Sequence, residues 1–270
     1  MGYFKQFPKS LYDYENDGVL TSVVDLYRSV RPVQNFIDNS TEYTFYEIKD
    51  GERPDIVSQR LYGTSRHYWT FFIINDFLHD GLAAWPMSTH DLATYITAEY
   101  EGWAITTNPS ITRNTDNQIT DFANSIAGRF EIDEIVTGGS TGASGTLTKK
   151  DLDMNQLVIQ NTTGSFNGTP GAISGASELV VGQTSGDSVS TYNAYKYSEA
   201  PHHYHLIGDE EKRPVTNAVN IQGGVATNNL TFQSNRNYMF EKNFNSSMIR
   251  VVDPSYITKF SSTFEKLINV

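Results

Sequence analysis

The densest cluster of potential metal ligands in the chain is PHHYH at 201–205. On a strand, side chains two apart share a face, so His203 and His205 could ligate a metal together. Zinc sites usually add cysteine or a helix carrying HExxH, and the sequence has neither. A surface strand is therefore expected, with no metal. Asp50, Glu52 and Asp55 could be imagined as the paired carboxylates of a glycosidase. Arg53 sits among them, no apolar setting is evident that would raise one pKa, and charged turns are normally solvated. His67 and His79 fall near the two ends of a helix predicted over 65–76, without a GxSxG nucleophile elbow. The glycines of TGGSTGASG (137–145) lack the lysine of a phosphate-binding loop and lead into no helical pattern. No catalytic residue, cofactor or small-molecule substrate is expected, and the chain does not read as an enzyme.

Bulk properties narrow the partners. The 270 residues carry a net charge of −11, and no basic block occurs, which argues against a nucleic-acid surface. There is no cysteine, hence no disulfide or thiolate site. No stretch is long and apolar enough to suggest a membrane span, and MGYFKQFPKSLYDYENDG lacks the apolar core of a signal peptide. A protein made and used without signal-directed export is expected. The aromatic share of 13% is high, and aromatics in short polar segments are common interface anchors.

Several elements follow from pattern. Residues 1–18 carry Tyr3, Phe4, Phe7, Tyr12 and Tyr14 without a period. They form either a loosely ordered arm or an extended one that plugs its aromatics into a neighbour. Leu20, Val23, Val24 and Tyr27 predict a helix over 19–30, ended by Arg31-Pro32. Next comes YEIKDGERPDIVSQRLYG (46–63): a strand that includes Tyr43 and Phe45 upstream, an Asp-Gly turn, and a helix. Pro54 suits the first helical position and Gly63 the left-handed position past the end. In the helix over 65–76, Tyr68, Trp69, Phe72 and Ile73 form a stripe; an extended segment follows, then a third helix capped by Ser88 and Asp91. From about 104, Thr, Ser, Asn and Gly dominate. EIVTGGSTGASGTL (134–147) and ELVVGQTSGDSVS (178–190) look like one hairpin repeated, in a small barrel or sandwich. Residues 192–246 show no long period. Met248–Val252 reads as a strand, and Asp253-Pro254 opens an amphipathic helix with Ile257, Phe260, Phe264 and Leu267 on one face. The fold class is α+β, divided as 1–40 arm and helix, 41–103 α+β unit, 104–192 β module and 193–270 terminal strands and helix.

The residues Tyr46, Ile48, Gly51, Arg53, Pro54, Leu61, Tyr62, Gly63, Tyr68 and Trp69 carry a resemblance. Their pattern resembles the LysM-like segment of phage tail proteins, and more narrowly the baseplate wedge protein of T-even-type contractile tails. The order of aromatic arm, helix, LysM-like unit and late strand-plus-helix is similar too, over roughly 1–103 and 235–270. The resemblance implies a small LysM-like β-α-α-β unit with flanking helices, the glycine-rich segment being an inserted all-β module. It implies a structural virion protein of the tail baseplate, assembled in the host cytoplasm, that clamps the wedge core and joins neighbouring wedges. Implied partners are the helical wedge-core proteins and the small sheath-proximal wedge protein of lysozyme-like fold. Phe4, Phe7, Tyr12, Tyr14, Phe260 and Phe264 are the candidate partner contacts. The competing expectation is a module that binds peptidoglycan or other N-acetylated sugars, as true LysM domains do. Against it, Glu52-Arg53 stands where sugar-binding members usually have Asp-Thr after the glycine.

Overall fold

A computed structural model describes residues 7–25, 42–107, 110–113, 119–123, 125–167, 178–209, 221–222, 225–226 and 230–268. In chain order the strands are β1 (Lys9–Tyr12), β2 (Thr21–Val24), β3 (Tyr43–Glu47), β4 (Trp103–Thr107), β5 (Ser110–Arg113), β6 (Ile119–Ala123), β7 (Ile135–Gly138) and β8 (Ser144–Asp151). They continue as β9 (Gln156–Thr163), β10 (Leu179–Gly182), β11 (Ser188–Lys196), β12 (Pro201–Leu206), β13 (Ile221–Gln222), β14 (Val225–Ala226), β15 (Leu230–Ser234) and β16 (Met248–Val252). The helices are α1 (Pro54–Tyr62), α2 (Trp69–Ile74), α3 (Thr89–Glu99), α4 (Asn235–Asn245) and α5 (Ile257–Ile268). The fold is α+β. The chain forms two compact units, Met1–Asp91 with Glu241–Val270, and Leu92–Phe240.

In the first unit, Pro54 occupies the start of α1 and Gly63 ends it at φ 70°, as their types require. The expected second helix is broken. Ser65–His67 and Asp76–Leu78 are 3-10 turns on either side of the six-residue α2. Local side chains tighten that stretch: Thr64 accepts from the Arg66 N–H, and the Thr70 hydroxyl donates to the His67 carbonyl. The segment after Gly81–Ala83 adds no strand. The partner of β3 is instead β16, antiparallel, with Tyr46 opposite Ile249 and Thr44 opposite Val251. The sheet partner of β3 therefore follows the whole second unit in the chain. Ile48, Val57, Phe71, Leu78, Trp85, Ile249 and Val251 fill the core between sheet and helices. Asn75 fastens the end of α2 to β16: its amide donates to the Phe71 and Arg250 carbonyls, and its carbonyl accepts from the Arg250 N–H. That buried side chain is satisfied on both ends.

Two terminal expectations change. Residues 21–24 are a strand rather than part of a helix, paired with β1 as a hairpin; Tyr27 lies outside the described residues. The run Thr21-Ser22-Val23-Val24 is rich in β-branched residues, which lose rotamer freedom in helices. Asp13 and Asp17 close the connecting loop through the N–H groups of Asp17, Gly18 and Val19. The last helix starts at Ile257, because Asp253 uses its carboxylate on Ser255 and holds 254–256 as a turn.

The second unit contains a closed six-stranded barrel in the order β10-β11-β4-β9-β8-β7, every neighbouring pair antiparallel. Ile105, Val136, Leu147, Leu157, Ile159, Val180 and Val189 point inward and are buried. The two glycine-rich hairpins are equivalent and cap each other. The Glu134 carboxylate accepts from the N–H groups of Thr184 and Ser185 and from the Ser185 hydroxyl. The Glu178 carboxylate does the same for Thr141 N–H and hydroxyl and for the Ser140 hydroxyl. A Cβ on Gly138 or Gly182 would collide with those carboxylates, so glycine is required at both. Burial acts to raise the Glu134 pKa, yet the hydrogen bonds from Ser185, Glu131 and Thr184 hold it below the usual value. Outside the barrel, β12 pairs with β15, and α4 follows directly; the polar-aromatic run at 192–246 concealed that helix.

Candidate interaction surfaces

The turn at 49–55 is a fixed structure, built around a buried acid. Glu52 is 7% exposed and accepts hydrogen bonds from the Tyr46 hydroxyl (2.9 Å) and the Lys49 N–H (3.2 Å). Arg60 on α1 pairs with the other carboxylate oxygen at 2.5 Å and donates to the Tyr46 hydroxyl at 2.9 Å. The expectation of a solvated charged turn holds for Asp50 and Asp55 in that neither is buried, but it fails for Glu52. The reason is the guanidinium of Arg60, which supplies the counter-charge that a buried carboxylate needs. Partial burial, followed by the bond to Glu52, raises the Tyr46 pKa. A carboxylate held this way by an arginine and a tyrosine pins the turn to α1.

Two further bonds tie the turn to the loop preceding α3. The Trp85 indole donates to the Glu52 carbonyl (2.8 Å), and Asp50 accepts from the Thr89 N–H (2.7 Å) and hydroxyl (2.9 Å). Ser88 and Asp91 form the expected reciprocal cap. Between the walls lies a cleft of about 560 Å³ lined by Pro54, Tyr68, Leu82, Trp85, Pro86 and Met87. Its rim carries Arg53, paired with Asp55 at 3.2 Å, and Asp91.

The motif residues divide by role. Ile48 and Pro54 are buried, Leu61, Tyr62 and Tyr68 pack partly buried on the first core, and Gly51 and Gly63 sit at positive φ. Arg53 is exposed. Trp69 faces away from that core into a second cluster with Phe7, Phe264 and Ile268. Its ring centre lies 4.6 Å from that of Phe264 and 6.2 Å from that of Phe260. Three of the six candidate contact residues, Phe7, Phe260 and Phe264, are thus engaged with their own unit. Phe4 lies outside the described residues. Tyr12 and Tyr14 remain, on or beside the β1–β2 hairpin, whose strand residues are all exposed except the half-buried Val23. Leu11 (65%), Tyr12, Tyr14 (80%), Val19 and Leu20 all face solvent in the chain by itself. Sequence reading did not single out Leu11, which lay in the expected arm, and it placed Val19 and Leu20 in a helix; the β-branched run at 21–24 was the available signal. His203 and His205 do lie on one strand, with ring centres 6.1 Å apart.

No protein family model matches the chain, and no curated protein matches it.

Elsewhere on the first unit, His67 sits against Tyr62, and burial, then the nearby Arg66 charge, lower its pKa. The described residues of the first unit present an apolar ribbon and a preformed, aromatic-floored cleft.

Proposed function

We propose that the chain is a structural component of a contractile phage tail baseplate wedge, acting through protein–protein contacts. The observation that carries this reading is the β1–β2 hairpin with five large apolar side chains in water. A lone two-stranded ribbon is marginal by itself, and large apolar side chains gathered on one exposed element are candidate binding anchors. Each such side chain contributes about 1.5–3 kcal/mol when fully covered, so the ribbon offers several kcal/mol before the costs of association. The pattern from Tyr46 to Trp69, now a pinned turn followed by short helices and closed by β16, supports a LysM-like unit used as scaffold. On this reading the hairpin docks on the helical wedge core or the lysozyme-like sheath-proximal protein, within a virion assembled in the host cytoplasm. The test is co-expression of the full chain with wedge-core proteins, followed by size-exclusion chromatography. A stable complex that is lost with Leu11→Ser/Leu20→Ser is expected; no complex with any of them overturns the reading.

The cleft beside the turn favours a second reading, a module that grips N-acetylated sugars against Tyr68 and Trp85. Retention of the full chain on purified peptidoglycan, abolished by Tyr68→Ala, would replace the first reading with this one.

A further inference from the structure

We propose that the free edge of β3 pairs with the same edge of a second copy of the chain, in an antiparallel junction centred on Phe45. Among the described residues β3 pairs with β16 alone. The bonds of an antiparallel ladder come from alternate residues. Here the Ile48 N–H donates to the Ser247 carbonyl and the Asp253 N–H to the Glu42 carbonyl, in register with the Tyr46–Ile249 and Thr44–Val251 pairs. The backbone N–H and C=O groups of Tyr43, Phe45 and Glu47 therefore point away from β16. The far edge of β16 is sealed: Asn75 takes both backbone groups of Arg250, and the Tyr62 hydroxyl donates to the Val252 carbonyl. Among the described residues β3 has no such plug. Its sequence YTFYE also lacks proline, lysine and any bulge, the usual guards of an open edge.

The spacing of the outward groups selects the partner. Antiparallel pairing about Phe45 sets this residue opposite Phe45 of the second copy, and Tyr43 opposite Glu47 of the second copy. Each facing pair then exchanges both N–H···O bonds. Any other antiparallel register leaves at least one of the three residues unmatched, so the edge is complementary to itself. Such an isologous contact closes on a dimer and does not propagate into a filament. The side chains agree with that register. Tyr43, Phe45 and Arg250 share the solvent face of the sheet. The Arg250 guanidinium carbon lies 5.4 Å from the Tyr43 ring centre and 6.0 Å from that of Phe45, and the two rings meet edge-on at 6.3 Å. Phe45 is thereby steadied while 64% exposed. In the junction the two Phe45 rings cover one another, Tyr43 meets a carboxylate to which its hydroxyl can donate, and no like charges stand directly opposite.

The experiment is analytical ultracentrifugation of the full chain at about 0.3 M salt, which screens the repulsion between two copies of net charge −11. One strand pair is a small interface, so a reversible dimer is expected to be populated only at about 0.1 mM and above. Phe45→Pro removes from the backbone only an outward N–H, and it should raise the dissociation constant roughly tenfold or more. Leu11→Ser/Leu20→Ser should leave the dimer unchanged, which separates this junction from docking through the β1–β2 hairpin. Amide exchange of the unaltered chain is a readout independent of variant folding. The amides of Tyr43, Phe45 and Glu47 should gain protection as concentration rises, whereas those of Thr44 and Tyr46, bonded to β16, are protected throughout. A chain still monomeric at about 0.5 mM would leave the edge to a strand of another protein and overturn self-pairing. A dimer that survives Phe45→Pro, a dimer lost with Leu11→Ser/Leu20→Ser, or exchange at the three amides that ignores concentration would overturn it equally.

Discussion

Replacing Trp69 by alanine should detach α5 from α2 and destabilise the first unit as a whole. Trp69 is 4% exposed and lies at the centre of a cluster with Phe7, Phe264 and Ile268, with Phe260 stacked beside it. Truncating a buried large aromatic costs about 3–5 kcal/mol, and the tight Phe264 contact places this site toward the upper end. Domains of ordinary stability have about 5–15 kcal/mol in total, so the loss is a large fraction. It corresponds to a drop of about 10–20 °C in the midpoint of that unit. Differential scanning calorimetry of the full chain is the suitable assay, because two units need not melt together. Only one transition should move, since the barrel shares no residue of this cluster. The variants Trp69→Ala, Phe264→Ala and their combination should be non-additive by more than about 0.5 kcal/mol. An unchanged melting profile, or full additivity, would refute the packing described here.

Glu52→Gln removes the charge from the Tyr46–Glu52–Arg60 pin while keeping its shape. With Arg60 half exposed, the expected cost is about 1–3 kcal/mol by chemical denaturation. Glu134 has a lowered pKa in the folded barrel, so its ionised form adds stability that is present above the unfolded pKa, about 4.3, and lost as pH falls through the folded value. The stability gap between the parent and Glu134→Gln should therefore shrink on acidification below about pH 4, followed by denaturant melts at several pH values. Gly142 (φ 67°) and Gly186 (φ 71°) occupy equivalent turns, so Gly142→Ala and Gly186→Ala should each cost about 1–2 kcal/mol. Unequal losses in thermal melts would argue against the equivalence of the two hairpins.

Local chemistry made part of this structure readable in advance. Pro54, Gly63 and the Ser88–Asp91 cap delimit helices by rules that act within a few residues, and the two glycine-rich hairpins announce themselves by similarity. What stayed hidden depends on distance along the chain. No nearby residue indicates that Tyr46 pairs with Ile249, or that Asn75 bonds to Arg250. The burial of Glu52 depends on Arg60 reaching back across a turn of helix, which a reading of the turn alone cannot supply. Periodicity misled at 21–24, where Val23 and Val24 fit a helical stripe with Leu20 but, with Thr21, form a β-branched run that pairs in the hairpin. Alternation holds for His203 and His205, which lie on one strand with ring centres 6.1 Å apart, whereas nothing in the sequence signals the irregular step beside which His202 meets His203.

The separation of β3 from β16 also sets an order of events during synthesis. β3, α1 and α2 emerge first but lack their sheet partner, and Trp69 lacks the cover of α5. The barrel, whose strands all lie between 103 and 196, can close before β16 exists. Once folded, it replaces a long disordered connection by a compact one, which lowers the entropy lost when β16 returns to β3. The first unit is thus a clasp that cannot shut until β16 has been made. A ribosome stalled before residue 248 would display a finished barrel beside an open apolar core, the kind of intermediate that chaperones hold.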